Sequence, residues 1–118
     1  VGLSGFKYSD LYNSPEGTLI DYFNGQFYSD YSLTAFQNCL KYPVEKIVMG
    51  MLSSQDLAEI IPQLKEIIYK YPKFGGVFIW EFSDSPTNWD KTMSKILTDS
   101  DYYMRLMEAL SIAQCSIC

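Results

Sequence analysis

Residues 47–80 read I-V-M-G-M-L-S-S-Q-D-L-A-E-I-I-P-Q-L-K-E-I-I-Y-K-Y-P-K-F-G-G-V-F-I-W, and this stretch decides the fold class. Its first six residues are a continuous apolar run of strand length, as expected of a strand covered on both faces. Leu57, Ile60, Ile61, Leu64, Ile67 and Ile68 then recur at helical spacing. Pro62 predicts a helix starting at that point after a looser turn, and Pro72 ends it one turn past Ile68. Residues 74–82, F-G-G-V-F-I-W-E-F, return to a strand pattern. A strand-to-strand spacing of about 25–30 residues is that of a βαβ unit.

The same alternation extends in both directions. Upstream, residues 21–28, D-Y-F-N-G-Q-F-Y, are aromatic-rich and predict a buried strand. Period two places Asn24, Gln26 and Tyr28 on one face, with Phe23 and Phe27 on the other. Ser32 suits the N-cap of a short helix whose stripe is Leu33, Phe36 and Leu40, and Pro43 stops that helix. Downstream, the S-D-S-P loop leads into a helix over residues 89–97, and a last amphipathic helix carries Tyr103, Leu106, Met107 and Leu110 on one side. Strands alternating with helices predict an α/β chain with a parallel sheet. No internal repeat or linker divides it. Gly75 and Gly76 begin a strand rather than leave one for a helix, so no phosphate-binding fingerprint is present.

The chain has 118 residues, 47% of them hydrophobic, which suits one globular core rather than disorder. Nine basic residues against fourteen acidic ones give a net charge of −5, which argues against nucleic acid as a partner. No apolar run reaches the length of a membrane span, and no signal peptide is visible ahead of the first segments. The absence of histidine removes Ser-His-Asp and Cys-His catalysis, imidazole-ligated zinc and histidine pH switches. Acid–base chemistry then falls to carboxylates, Tyr, Lys or Cys. Of the cysteines Cys39, Cys115 and Cys118, the last two form a terminal C-S-I-C, which reads as a frayed tail or a local disulfide before a metal or redox site.

Three of these segments resemble family-18 glycoside hydrolases. Residues 21–28 resemble the sixth-strand signature of hevamine-like class III chitinases, in the form D-Y-x-x-x-Q-F-Y. Residues 46–52, K-I-V-M-G-M-L, look like the seventh strand, where an apolar run passes a glycine. Residues 61–80, I-P-Q-L-K-E-I-I-Y-K-Y-P-K-F-G-G-V-F-I-W, resemble the seventh helix, the P-K-Y-G-G-V connection and the eighth strand with its terminal Trp. The three stand in the family's order and spacing within residues 1–97.

The resemblance implies a TIM barrel, a fold of about 250 residues and eight β/α units. Residues 1–6 would be its fifth strand, so residues 1–97 would be a partial barrel, strands five to eight with their helices. Residues 98–118 would add a helix and a Cys-containing tail. The family's proton donor lies in a D-x-x-D-x-D-x-E motif on the fourth strand. This sequence has none, and Asp99-Ser-Asp101 is spaced differently. The implied chemistry is substrate-assisted hydrolysis of β-1,4-linked N-acetylglucosamine polymers, without a cofactor. Carried over residue by residue, Tyr28 would donate a hydrogen bond to the acetamido group, Gln26 would orient polar atoms of the same sugar, and Trp80 would form the floor beneath the ring. The implied partners are N-acetylglucosamine oligomers, and either the missing amino-terminal half of the barrel or a second copy of the chain. The implied setting is extracellular or vacuolar.

Plainer readings stand beside these. Tyr28 is one of ten tyrosines, and a tyrosine is often a half-buried packing residue. Gln26 on an aromatic-rich strand should be buried and paired, for which a ligand site is one means. Trp80 could simply be core. Alternation turns Glu81 away from Trp80's face, towards a salt bridge with a covering helix. Trp89 reads as packing at a helix start, and Asp56, Glu59 and Glu66 as a solvated helix face. The alternative function is a chitinase-like binding or storage protein that kept the fold and lost the acid.

Overall fold

In a computed structural model, residues 4–99 are described. They form a mixed α/β arrangement: a three-stranded parallel sheet and four α-helices joined by short 3-10 turns. The order is α1 (Tyr8–Tyr12), β1 (Phe23–Gln26), α2 (Leu33–Gln37), β2 (Ile47–Leu52), α3 (Leu57–Lys70), β3 (Gly76–Trp80) and α4 (Trp89–Thr98). The strands lie side by side in chain order, Gln26 facing Gly50 and Gly50 facing Phe78. No described helix is long and apolar enough to cross a membrane.

The core lies on one face of the sheet. Ile47, Met49 and Met51 point to it from β2 and meet Phe36 of α2, Ile60, Leu64, Ile67 and Ile68 of α3, and Met93 of α4. The helical stripe read from the sequence is therefore the packing stripe, and each side chain fully buried in it contributes about 1.5–3 kcal/mol. The opposite face has no such cover. Val48 and Leu52 are half-buried, Asn24 and Gln26 exposed, and the apolar run of β2 is thus covered on one side only among the described residues.

Local chemistry explains the boundaries. The Ser32 hydroxyl caps α2 by accepting from the Ala35 amide at 3.1 Å. Helix α3 begins at Leu57 rather than at Pro62, because the Asp56 carboxylate accepts from the Ala58 amide at 2.9 Å and Ile60 is already in the core. Pro62 is tolerated inside the helix, where it forgoes one hydrogen bond to the preceding turn. At the entry to β3, Gly75 donates to the Ile47 carbonyl; a β-carbon on Gly75 would lie 2.6 Å from that oxygen and 2.8 Å from that of Glu45. Only glycine fits there.

Other expectations change as well: β3 spans Gly76–Trp80 rather than residues 74–82, and α2 ends at Gln37, before Leu40. Strand β1 spans Phe23–Gln26, shorter than residues 21–28, because the chain turns at Phe27, whose carbonyl accepts from the Asp30 amide at 3.0 Å. The expected fifth strand over residues 1–6 finds no strand at residues 4–6, where Gly5 takes a positive φ of 76° and bends the chain. Residues 1–3 lie outside the described residues, as do the expected terminal helix and Cys115 and Cys118. Helix α1 is an element beyond those expected, and its Tyr12 packs edge-on to Phe23 and Tyr42.

Candidate functional site

The uncovered face of the sheet, near the carboxyl ends of its strands, brings the candidate residues together. One row across the sheet is Gln26, Gly50 and Phe78. Leu52 and Trp80 face each other in the next row towards the carboxyl ends. Gln26 and Trp80 therefore share a face by strand parity, one on each outer strand with Gly50 between them. The Phe78 ring lies across Gly50, where it meets no side chain that would push it away.

Trp80 is 62% exposed, so it is not a core residue. The peptide bond after it is cis. Gln26 is exposed rather than buried and paired, because among the described residues nothing covers this face. Glu81 is also exposed, at the head of a 3-10 turn, and no ion pair with a helix forms among the described residues. Trp89 packs against the core as expected, with its indole N–H buried and without a hydrogen-bond partner among the described residues. Asp56, Glu59 and Glu66 are exposed, and Asp56 adds its capping role.

Tyr28 lies just beyond β1, in the turn, where strand alternation no longer dictates its face. It is half-buried, and its hydroxyl has no hydrogen-bond partner among the described residues. Its backbone is held firmly instead. The Gln55 side-chain amide donates to the Tyr28 carbonyl at 2.5 Å, and the Tyr31 hydroxyl donates to the Gln55 carboxamide oxygen. The same Tyr31 hydroxyl accepts from the Leu52 amide at 3.1 Å. Burial pushes the Tyr31 phenol above its ordinary pKa, with a smaller opposing effect from the Leu52 hydrogen bond and a small further rise from nearby Tyr28.

Tyr31 and Gln55 carry no motif that marks them in the sequence. The one available signal was general: a tyrosine placed in a core needs a partner for its hydroxyl. Beside them an open cleft of about 420 Å³ lies between the turn after β1 and the start of α3, lined by Asp30, Tyr31, Gln55, Asp56, Glu59 and Gln63 among others. None of the sequence-predicted site residues lines it. The Asp30 carboxyl is held below its usual range by hydrogen bonds from Ser32. No group of three or more metal-capable side chains occurs among the described residues.

Compared with known protein families, curated proteins and solved structures, the chain matches none.

Proposed function

We propose that this chain is the carboxyl-terminal part of a chitinase-like glycoside hydrolase barrel that binds β-1,4-linked N-acetylglucosamine polymers, with its catalytic acid supplied from outside these residues. The observation that carries this reading is the shared face of Gln26 and Trp80, uncovered and near the carboxyl ends of parallel strands. Barrel enzymes of this architecture work at that end of their strands. Two features of the sheet agree with an arc of such a barrel: neighbouring strands follow chain order, and the described helices that share the core lie on one face only. A doubly wound sheet would reverse its strand order and carry helices on both faces.

In this reading an acid protonates the glycosidic oxygen, and the sugar's own acetamido oxygen attacks the anomeric carbon as the bond to the departing sugar breaks. Water then opens the resulting oxazolinium ring while its proton returns to the acid. Tyr28 donates its phenolic hydrogen to the acetamido group and holds it for that attack. Gln26 offers both a donor and an acceptor to polar atoms of the same sugar. The exposed Trp80 ring covers the C–H face of the sugar. The missing half of the barrel, or a second copy of the chain, covers the rest of the open face.

A second reading, a carbohydrate-binding or storage protein of the same fold, is favoured by the lack of a D-x-x-D-x-D-x-E motif in these residues. Titrating the full-length protein with the N-acetylglucosamine tetramer, followed by tryptophan fluorescence and by product release, tests both. Binding with hydrolysis supports the enzyme, and binding without hydrolysis the second reading. A protein that does neither overturns both.

A further inference from the structure

Past Gln26 and Gly50, strands β1 and β2 part company. In a continued ladder Tyr28 would face Leu52, since Gln26 faces Gly50. The Ser53 amide donates to the Trp80 carbonyl, so alternation turns the Leu52 amide towards β1, where the strand has ended. The Tyr31 hydroxyl takes that orphaned N–H, and a relay runs on from Leu52 through Tyr31 and Gln55 to the Tyr28 carbonyl.

The direction of this relay is forced by donor and acceptor counts. The Leu52 amide can only donate, so the Tyr31 oxygen accepts and keeps its single proton for Gln55. The Gln55 carboxamide oxygen accepts that proton, leaving its NH₂ for the Tyr28 carbonyl, which can only accept. A carboxamide is the group that fits between a hydroxyl and a carbonyl in this order. A carboxylate in its place would keep the Tyr31 contact and lose the one to Tyr28.

We propose that Tyr31 and Gln55 are positioning residues for Tyr28: they replace the missing strand ladder and fix the backbone from which its phenol reaches the acetamido group. This rests on the reading of Tyr28 as the acetamido donor. The two residues touch no substrate. They act through the Tyr28 main chain, and the turn that carries Tyr28 is further closed by the Asp30-to-Phe27 hydrogen bond and by the Ser32 amide donating to the Asp30 carboxylate at 2.9 Å.

The test is a double-mutant cycle in the full-length protein, with the N-acetylglucosamine tetramer as substrate. Gln55→Glu preserves size and should lower kcat about tenfold at neutral pH with KM nearly unchanged, the scale of losing one hydrogen bond to a part-buried carbonyl. Tyr28→Phe should lower kcat as well, and Tyr28→Phe/Gln55→Glu should fall no further than Tyr28→Phe alone. Tyr31→Phe should repeat the kcat loss and speed hydrogen exchange at the Leu52 amide. Losses that multiply in the double variant, or unchanged kcat in Gln55→Glu, overturn the positioning role while leaving Tyr28 in its place. Unchanged kcat in Tyr28→Phe, or no turnover by the wild type, instead removes the reading of Tyr28 and the positioning role with it.

Discussion

The Phe78 ring lies across Gly50 on the open face of the sheet, its Cε1 only 2.7 Å from where a β-carbon on Gly50 would sit. The same β-carbon would stand 2.9 Å from the Gly25 carbonyl oxygen, which belongs to the backbone of β1 and cannot swing aside. Gly50→Ala should therefore destabilise the fold by about 1–3 kcal/mol, the usual cost of overpacking. Urea unfolding measures it. Adding Phe78→Leu should recover part of the loss, because the ring clash is relieved and the backbone clash is not. Full stability in Gly50→Ala would mean that β1 and β2 adjust more freely than their register implies.

The start of α3 makes a second prediction. Asp56 caps the helix and Pro62 interrupts its hydrogen bonding, so the two substitutions should act in opposite directions. Asp56→Ala should cost about 0.5–2 kcal/mol. Pro62 is exposed, and Pro62→Ala restores an amide facing the Ala58 carbonyl. It should stabilise the protein by about 1–2 kcal/mol, the helix penalty of proline less what its rigidity contributes to the unfolded chain. A loss of stability in Pro62→Ala would show that the helix is strained there for a packing reason.

What the sequence revealed and what it hid follow one physical distinction. Strand β2 was legible to the residue, as was the stripe of Ile60, Leu64, Ile67 and Ile68, because burial leaves a periodic trace along the chain. Ser32 was legible as a cap because its hydroxyl acts three residues away. The start of α3 is not legible from Pro62, because proline's local preference yields to the Asp56 cap and the burial of Ile60. The end of β1 is hidden because the aromatic pattern of residues 21–28 continues through a turn made by backbone hydrogen bonds. The Tyr31–Gln55 contact joins residues 24 positions apart and has no period at all. That Gln26 and Trp80 share a face emerges only from the register of β1, β2 and β3, and the exposure of Gln26 depends on what covers the sheet.

Alkaline pH should act on the Tyr31 relay. Burial raises the phenol above its ordinary 10.0, so the folded state holds this proton more tightly than the unfolded state does. The stabilising contribution is fully present below pH 10.0, and it is lost as pH rises through the folded-state pKa. Tyr42 shifts in the same direction, chiefly by burial. Tyrosinate absorbance should therefore show a late-titrating component, reduced but not abolished in Tyr31→Phe. If Tyr31→Phe leaves the titration curve unchanged, the phenol is open to solvent.

Among the described residues, the sheet's outer edges on β1 and β3 pair with no strand and one face is uncovered. Unpaired edges recruit other strands. Residues 1–118 expressed by themselves should self-associate, or remain dispersed only with the rest of a barrel present. Sedimentation across a concentration series checks this. A monomer at every concentration with a cooperative melt would favour a self-contained α/β domain and count against the barrel.

Trp80 and Tyr28 should separate along different axes in the full-length protein. Trp80 is 62% exposed, so Trp80→Ala should change stability by less than about 1 kcal/mol. Removing a stacked aromatic face typically costs about 1–3 kcal/mol of binding, taking base stacking as the guide. Affinity for the N-acetylglucosamine tetramer should accordingly fall roughly ten- to a hundredfold. Tyr28→Phe keeps the ring and removes only the hydroxyl, which has no protein partner among the described residues to lose. Stability and ground-state affinity should then barely move, while kcat falls, because the acetamido group is held less well in the transition state. Fluorescence titration, turnover and urea unfolding on the same two variants give the pattern. Should Trp80→Ala unfold the protein and Tyr28→Phe change neither affinity nor turnover, both side chains are packing, and the open face of the sheet needs another occupant than a sugar.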